Sequence, residues 1–410
     1  MAEASNDRPS AGPGPPATYP VRAACCTAAA ALLVLFLRRP ESFLNPQLFA
    51  EDSRVFFLDA ARNPWGSLTA PYAGYMHLFA RLVAALCSHL DMLLIPAAYF
   101  AVSIAAVAAL VLALFSRRVD LPHPWLFALG VVLVPHTGEV FDNLTNLQWI
   151  TALGLVVLLL ARDPASPAQW AVDFAYAAVI SLSGVFSIVL APLFAARAAV
   201  RRTGASIGLA CLVLAGAAIQ ANEVIHFPFP TAPNDTTPLL ALATFGQRVW
   251  LGLFLTPALA NASPLPARAA AGVLGLALLA ALCVGTGGAR AARILAAACL
   301  LLVAAAIYRY RGEILILDTV GNGDRYFFVP KVCAIWILLL GLLRAPAPRW
   351  LCGVLLAALL ANTCLTFRFE RWNDYHWAYW VGQMRTEERV VVPVNPAGFT
   401  FTYERPRPGP

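Results

Sequence analysis

The sequence predicts an all-α polytopic membrane protein, and three observations predict it. Of 410 residues, 60% are hydrophobic and only 12% are charged; a soluble domain is about half apolar and about a quarter charged. The mean hydropathy is +0.69. Apolar runs of membrane-spanning length recur along the chain, separated by short turns rich in Arg, Pro and Gly. The net charge of +7 rests on arginine, since Lys331 is the only lysine. The arginines lie singly or in pairs at the ends of apolar runs, so no clustered basic face for nucleic acid exists. The nine cysteines lack CxxC spacing and read as small buried hydrophobes, not as a metal or redox site.

Taken in order, residues 1–19 are rich in Pro, Gly, Ala and Ser and are expected to form a disordered tail. The run 21–39 reads as a retained first span, because its long polar leader and Arg38-Arg39 do not suit a cleavable signal. Residues 40–91 form the first large loop, broken by Pro46, Pro64 and Pro71. Trp65, Tyr72 and Tyr75 suit a membrane interface. Within this loop 76–90 carries His77, Arg81 and His89 among apolar residues and reads as an amphipathic surface helix, with a true span as the alternative. Spans follow at 92–115, 123–136 and 147–161. The run 171–200 is interrupted by Ser181-Leu182-Ser183-Gly184, which predicts two short helices joined by a tight turn. A further span at 206–222 leads into the Pro-rich loop 224–238. Residues 240–262 carry Gln247, Arg248 and Pro257 and are expected to graze the membrane. Spans at 268–285, 293–308, 328–343 and 350–366 complete a transmembrane domain over 20–366. The segment 367–410 is polar and aromatic, with a β-like run at Arg389–Val394.

Arginine placement then sets the topology. With the N-terminus cytoplasmic and 76–90 and 240–262 unspanned, the count is eleven spans. Cytoplasmic turns collect Arg117, Arg118, Arg162, Arg201, Arg202, Arg290, Arg293, Arg344 and Arg349, whereas the outside turns at 137–147, 183 and 224–238 hold no Lys or Arg. Arg38, Arg39, Arg54 and Arg62 fall outside and count against this topology, unless the loop handles phosphate. Every polar cluster lands on the extracytoplasmic face. Mid-span positions are nearly all Ala, Leu, Val and Gly, which favours chemistry at a membrane surface over passage through it.

The first loop carries the most specific signal: Ala50-Glu51-Asp52-Ser53 with Phe56, then Pro71-Tyr72-Ala73-Gly74-Tyr75 and His77. In this topology it resembles the GT-C class of integral-membrane glycosyltransferases, and in particular an uncharacterised bacterial set of GT-C-like membrane proteins. In that set Gly commonly follows the acidic pair, where this chain has Ser53. The architectural likeness covers nearly the whole chain, the motifs a small part of it. The resemblance implies a GT-C-like bundle of about eleven transmembrane helices whose extracytoplasmic first loop carries surface helices. It implies a polyprenyl-phosphate sugar donor, a glycan or lipid acceptor, contact with membrane lipids, and residence in a bacterial inner membrane. A divalent cation (Mg2+ or Mn2+) fits that chemistry, but no ligand set in the sequence fixes it.

The residue logic stands beside the resemblance. Inverting sugar transfer needs a carboxylate to take the acceptor's proton, and a leaving phosphate needs positive charge. Asp52 is the expected base and Glu51 a positioning or metal-binding group; the plain alternative is a solvated or helix-capping acidic pair. Arg325 can fork onto a phosphate and Lys331 can add a compact charge, with Gly321 and Gly323 allowing close approach. The plain alternative there is an interfacial anchor. His136, Glu139 and Asp142 could hold a divalent ion, though their spacing is not specific. Asn143, Asn146 and Trp149 could bind and stack on a sugar, with Tyr75 and His77 beside the acidic pair. Trp372, Trp377 and Trp380 could form an acceptor platform or an interfacial belt. Two other classes stay open. A lipid or polysaccharide transporter predicts that Asp173, Glu223 and Arg81 converge inside the bundle. A non-catalytic scaffold predicts that neither Glu51 nor Asp52 lines a cavity.

Overall fold

The computed structural model describes residues 19–228, 233–285, 289–345 and 349–405, so the tail expected over 1–19 lies outside the described residues apart from Tyr19. The chain is mostly helical, as the abundance of Ala and Leu favours. Among the described residues, six helices are long and apolar enough to cross a membrane: Val21–Arg38, Met92–Leu114, Gly204–His226, Leu265–Val284, Arg290–Arg309 and Arg325–Arg344. This is a membrane-embedded helical protein.

The long helices are α1 (Val21–Arg38), α3 (Ile95–Leu114), α8 (Gly204–His226), α10 (Leu265–Gly285), α11 (Ala289–Arg309) and α12 (Arg325–Arg344). Shorter ones fill the gaps: α2 (Leu78–Cys87), α4 (Pro124–Val132), α5 (Leu147–Leu160), α6 (Pro167–Ser181), α7 (Phe186–Arg201), α9 (Pro238–Phe245), α13 (Arg349–Leu365) and α14 (Trp377–Thr386). Their starts are written locally. Pro96, Pro124, Pro167 and Pro238 sit in first turns, where a missing N–H costs nothing. Ser166, Thr203 and Thr237 accept a hydrogen bond from the first-turn backbone. Between α6 and α7 the chain turns at Gly184, whose φ of +104° suits glycine.

At the centre stands α12. In its most apolar window 83% of residues are buried, against 28% to 44% in the other five long helices. It packs on α11, α13 and α4. Any polar side chain on α12 is therefore forced to find its partner inside the protein.

Two regions differ from expectation. α2 does not present a polar face: Arg81 is 1% exposed and pairs with Asp59 at 3.0 Å, because the first loop folds back over it. The run Arg389–Val394 (β1) forms an antiparallel hairpin with Phe399–Glu404 (β2), Val392 facing Phe401, and the second strand was not anticipated.

After α9 the helix winds into a π-helical segment at Gly246–Leu251. A Cβ on Gly246 would lie 1.9 Å from the Arg268 carbonyl oxygen of α10, so only glycine lets the two backbones meet. Gly246→Ala is expected to cost about 1–3 kcal/mol by overpacking, read as a lower unfolding temperature in detergent. Unchanged stability would contradict the close packing.

Candidate functional site

The acidic stretch begins as extended chain and kinks at Ala50, which holds a φ of +25°. A π-helical turn over Asp52–Phe57 follows. Such turns are rare and recur at functional sites. Adjacent residues on a helical turn diverge, and here they diverge into different media. Asp52 is 1% exposed. Its Oδ1 accepts from the Thr145 amide (2.7 Å) and hydroxyl (2.6 Å), and its Oδ2 from the Leu144 and Phe49 amides (3.3 and 3.4 Å). Burial pushes the Asp52 carboxyl up to about 7, against the opposing pull of the bonds from Thr145, Leu144 and Phe49. Glu51 turns outward. Its Oε1 accepts from the Tyr72 hydroxyl at 3.0 Å and from the Arg54 guanidinium at 3.1 Å. The accessible carboxylate of the pair is thus Glu51.

Tyr72 and Tyr75 close a tight turn through reciprocal backbone bonds of 2.9 and 3.2 Å. Ala73 and Gly74 at its tip have φ of +52° and +85°, the pattern of a type I′ turn. Burial raises the phenol of Tyr75 and Tyr326 adds to the rise, while the charge of Arg325 and a hydrogen bond with Gln148 oppose it. His77 lies 4% exposed behind the turn, its ring 4.6 Å from that of Tyr75 and its Nε2 3.3 Å from the Tyr72 carbonyl. Burial, with Arg81 nearby, pushes His77 down to about 3. It is a neutral ring that packs behind the turn and lines a water-sized cavity beside Thr145.

The 135–149 stretch folds differently from its polar appearance. Asn143 and Asn146 both donate to the Glu139 carbonyl (2.8 and 2.9 Å), and Asn143 Oδ1 accepts from the Asn146 amide. Both are buried and hydrogen-bonded within the loop itself. Trp149 is buried between Phe186 and Tyr326, at ring distances of 4.9 and 5.1 Å. His136, Glu139 and Asp142 do not converge. They pair with Asp324, Arg325 and Arg39 respectively. Among the described residues no group of three His, Cys, Asp or Glu side chains could hold Mg2+ or Mn2+.

Arg325 and Lys331 share a helix but not a role. Arg325 binds Glu139 and keeps 35% of its side chain exposed. Lys331, expected on a donor phosphate, is 1% exposed and donates to Asp324 Oδ1 (2.8 Å) and the Pro135 carbonyl (3.0 Å). The reason is helical spacing: Asp324 and Lys331 are seven apart, two turns on one face of the central helix. Asp324 also takes the Thr137 amide at 3.0 Å and faces His136 and Arg248, each at 3.5 Å. Burial alone would raise its carboxyl, but His136, Lys331 and Arg248 hold it well below the usual carboxylate range.

Sequence alone assigns no separate role to Asp324, Thr145 or Tyr326, and it reads Tyr72 only as an interfacial and motif residue and Arg248 only as part of a run that grazes the membrane. Only the Asp324–Lys331 spacing offered a signal. The convergence a transporter would need is not formed by Asp173 and Arg81: Asp173 pairs with Arg118, and Arg81 with Asp59. The acidic stretch and the Arg325 corner instead flank one turn: Glu51 accepts from Tyr72, Arg325 donates to Glu139, and the Tyr75 phenol feels the charge of Arg325. No family model, curated protein or solved structure matches the chain.

Proposed function

We propose that this chain is a GT-C-like glycosyltransferase of a bacterial inner membrane, with about eleven spans and a cytoplasmic N-terminus. It moves a sugar from a polyprenyl-phosphate donor to an extracytoplasmic glycan or lipid acceptor. The observation that carries this reading is the turn between Tyr72, whose hydroxyl bonds Glu51, and Tyr75, whose phenol lies within electrostatic reach of Arg325 at the head of α12. It supports a base and a phosphate partner acting on one substrate.

In this account Glu51, not the buried Asp52, takes the proton from the acceptor hydroxyl. The acceptor oxygen forms a bond to the anomeric carbon as the carbon–oxygen bond to phosphate breaks. The departing polyprenyl phosphate takes the bonding electrons, and Arg325 stabilises its charge. Asp52 fixes Thr145 and Leu144 to the first loop and so holds the base in place.

The test is transfer itself. Purified protein, given a panel of labelled polyprenyl-phosphate sugars and membrane acceptors, is expected to release polyprenyl phosphate with labelled product. Absence of transfer from every donor would sink the reading. One observation favours a non-catalytic scaffold instead: neither a groove of about 370 Å3 beside Asn45 and Trp377 nor a water-sized cavity beside Thr145 is lined by Glu51 or Asp52. A scaffold predicts no transfer.

A further inference from the structure

The C-terminal segment was expected to be an aromatic platform or an interfacial belt. It does something more specific. Asn395, 1% exposed, joins two distant pieces of chain with all four of its polar groups. Its backbone N–H donates to the Leu48 carbonyl at 3.2 Å, and its carbonyl accepts from the Ala50 amide at 2.5 Å. Its side-chain Oδ1 accepts from the Asn373 amide at 2.9 Å, and its Nδ2 donates to the Asn373 carbonyl at 3.0 Å.

The partner on the first loop is the strained one. Ala50 carries a Cβ at φ +25°, a backbone state that persists only where the surroundings impose it. That kink directs the following residues. Asp52 N–H turns back to the Phe49 carbonyl at 2.6 Å, and the Ser53 hydroxyl donates to the Ala50 carbonyl at 2.7 Å. Which carboxylate points inward therefore depends on the backbone at Ala50.

The rest of the segment grips the same stretch at both ends. Upstream, Phe49 stacks on Trp372 with ring centres 5.5 Å apart, and Gln47 Oε1 accepts from the Tyr375 amide at 3.3 Å. Downstream, Phe57 meets the rings of Trp377, Phe401 and Tyr403 at 5.9, 6.0 and 6.2 Å. The kink at Ala50 lies between these grips, and Asn395 is the residue that bonds to it.

We propose that Asn395 is a positioning residue: its side chain, anchored on Asn373, holds in place the backbone carbonyl that accepts from the Ala50 amide, and so sets the outward orientation of Glu51 and the burial of Asp52. That this orientation serves sugar transfer rests on the functional reading above; the positioning itself does not. It is tested without any donor, by carbodiimide labelling of carboxyls in the full-length protein, read residue by residue by mass spectrometry. In the wild type, Glu51 is expected to label while Asp52, Asp142 and Asp324 are protected. In Asn395→Ala, Asp52 labelling is expected to rise by about tenfold, as local opening becomes easier, with Asp142 and Asp324 still protected. A merely structural loosening would raise all three together.

Protection of Asp52 in Asn395→Ala equal to wild type would overturn the proposal. If that variant exposes all three aspartates, Asn395→Asp decides. It keeps the acceptor for the Asn373 amide and replaces the donor to its carbonyl with a carboxylate oxygen. Selective labelling of Asp52 in Asn395→Asp, below the level in the alanine variant, supports positioning. Uniform protection or uniform exposure there overturns it. A failure to detect sugar transfer leaves every one of these outcomes readable.

Discussion

Asp324→Asn is expected to destabilise the protein by about 3–5 kcal/mol, the cost of leaving a buried charge without its partner. Around the 132–142 loop the described residues bury Arg38, Arg39, Arg248 and Lys331, balanced by Asp142 and Asp324. Neutralising Asp324 leaves four cations to one carboxylate and takes away the charged partner of Lys331. Lys331→Met is expected to cost less, since His136 and Arg248 still face Asp324. The double variant should recover part of the loss, which a cycle of unfolding midpoints in detergent would measure. The pH dependence follows with its sign. The folded Asp324 carboxyl lies below its unfolded value, so its contribution is present above about pH 4 and lost as pH falls further. A stable Asp324→Asn protein would contradict the hub.

The adjacent carboxylates should separate into two phenotypes. Glu51→Gln is expected to lower turnover by about 10²–10⁴-fold, the usual worth of a general base, with an unchanged unfolding midpoint. Asp52→Asn should do the reverse in its first effect. An amide nitrogen in that pocket would face the N–H groups of Phe49, Leu144 or Thr145, which all donate. Loss of charge-assisted bonds here is expected to cost about 1.5–3 kcal/mol of stability. Turnover per folded molecule should then fall less than in Glu51→Gln. Equal stability in the two variants, or full activity in Glu51→Gln, would reverse the assignment.

How far the sequence reaches is visible in individual residues. The helical character follows from composition, and the starts at Pro124, Pro167 and Pro238, set by first-turn chemistry, fall one to four residues from the expected bounds 123, 171 and 240. These are local properties, so a linear reading finds them. The partition of Glu51 and Asp52 is not local. It depends on Thr145 and Asn395, 93 and about 340 positions away, through bonds no spacing rule announces. Lys331 misled for a related reason. Alone at the head of an apolar run it resembles a phosphate ligand, yet the burial of α12 makes Asp324 its nearest solution. Asn143 and Asn146 look like sugar contacts in any polar loop, and only the fold reveals their hydrogen bonds within it.

The central claim is that the first loop and the head of α12 form one working site. A double-mutant cycle on transfer rate tests it most directly, using Glu51→Gln, Arg325→Met and the pair together. Residues acting on one transition state should couple by about 0.5–3 kcal/mol, so the double variant should lose much less than the two single losses combined. Strictly additive losses would show that Glu51 and Arg325 act independently, and would contradict the account.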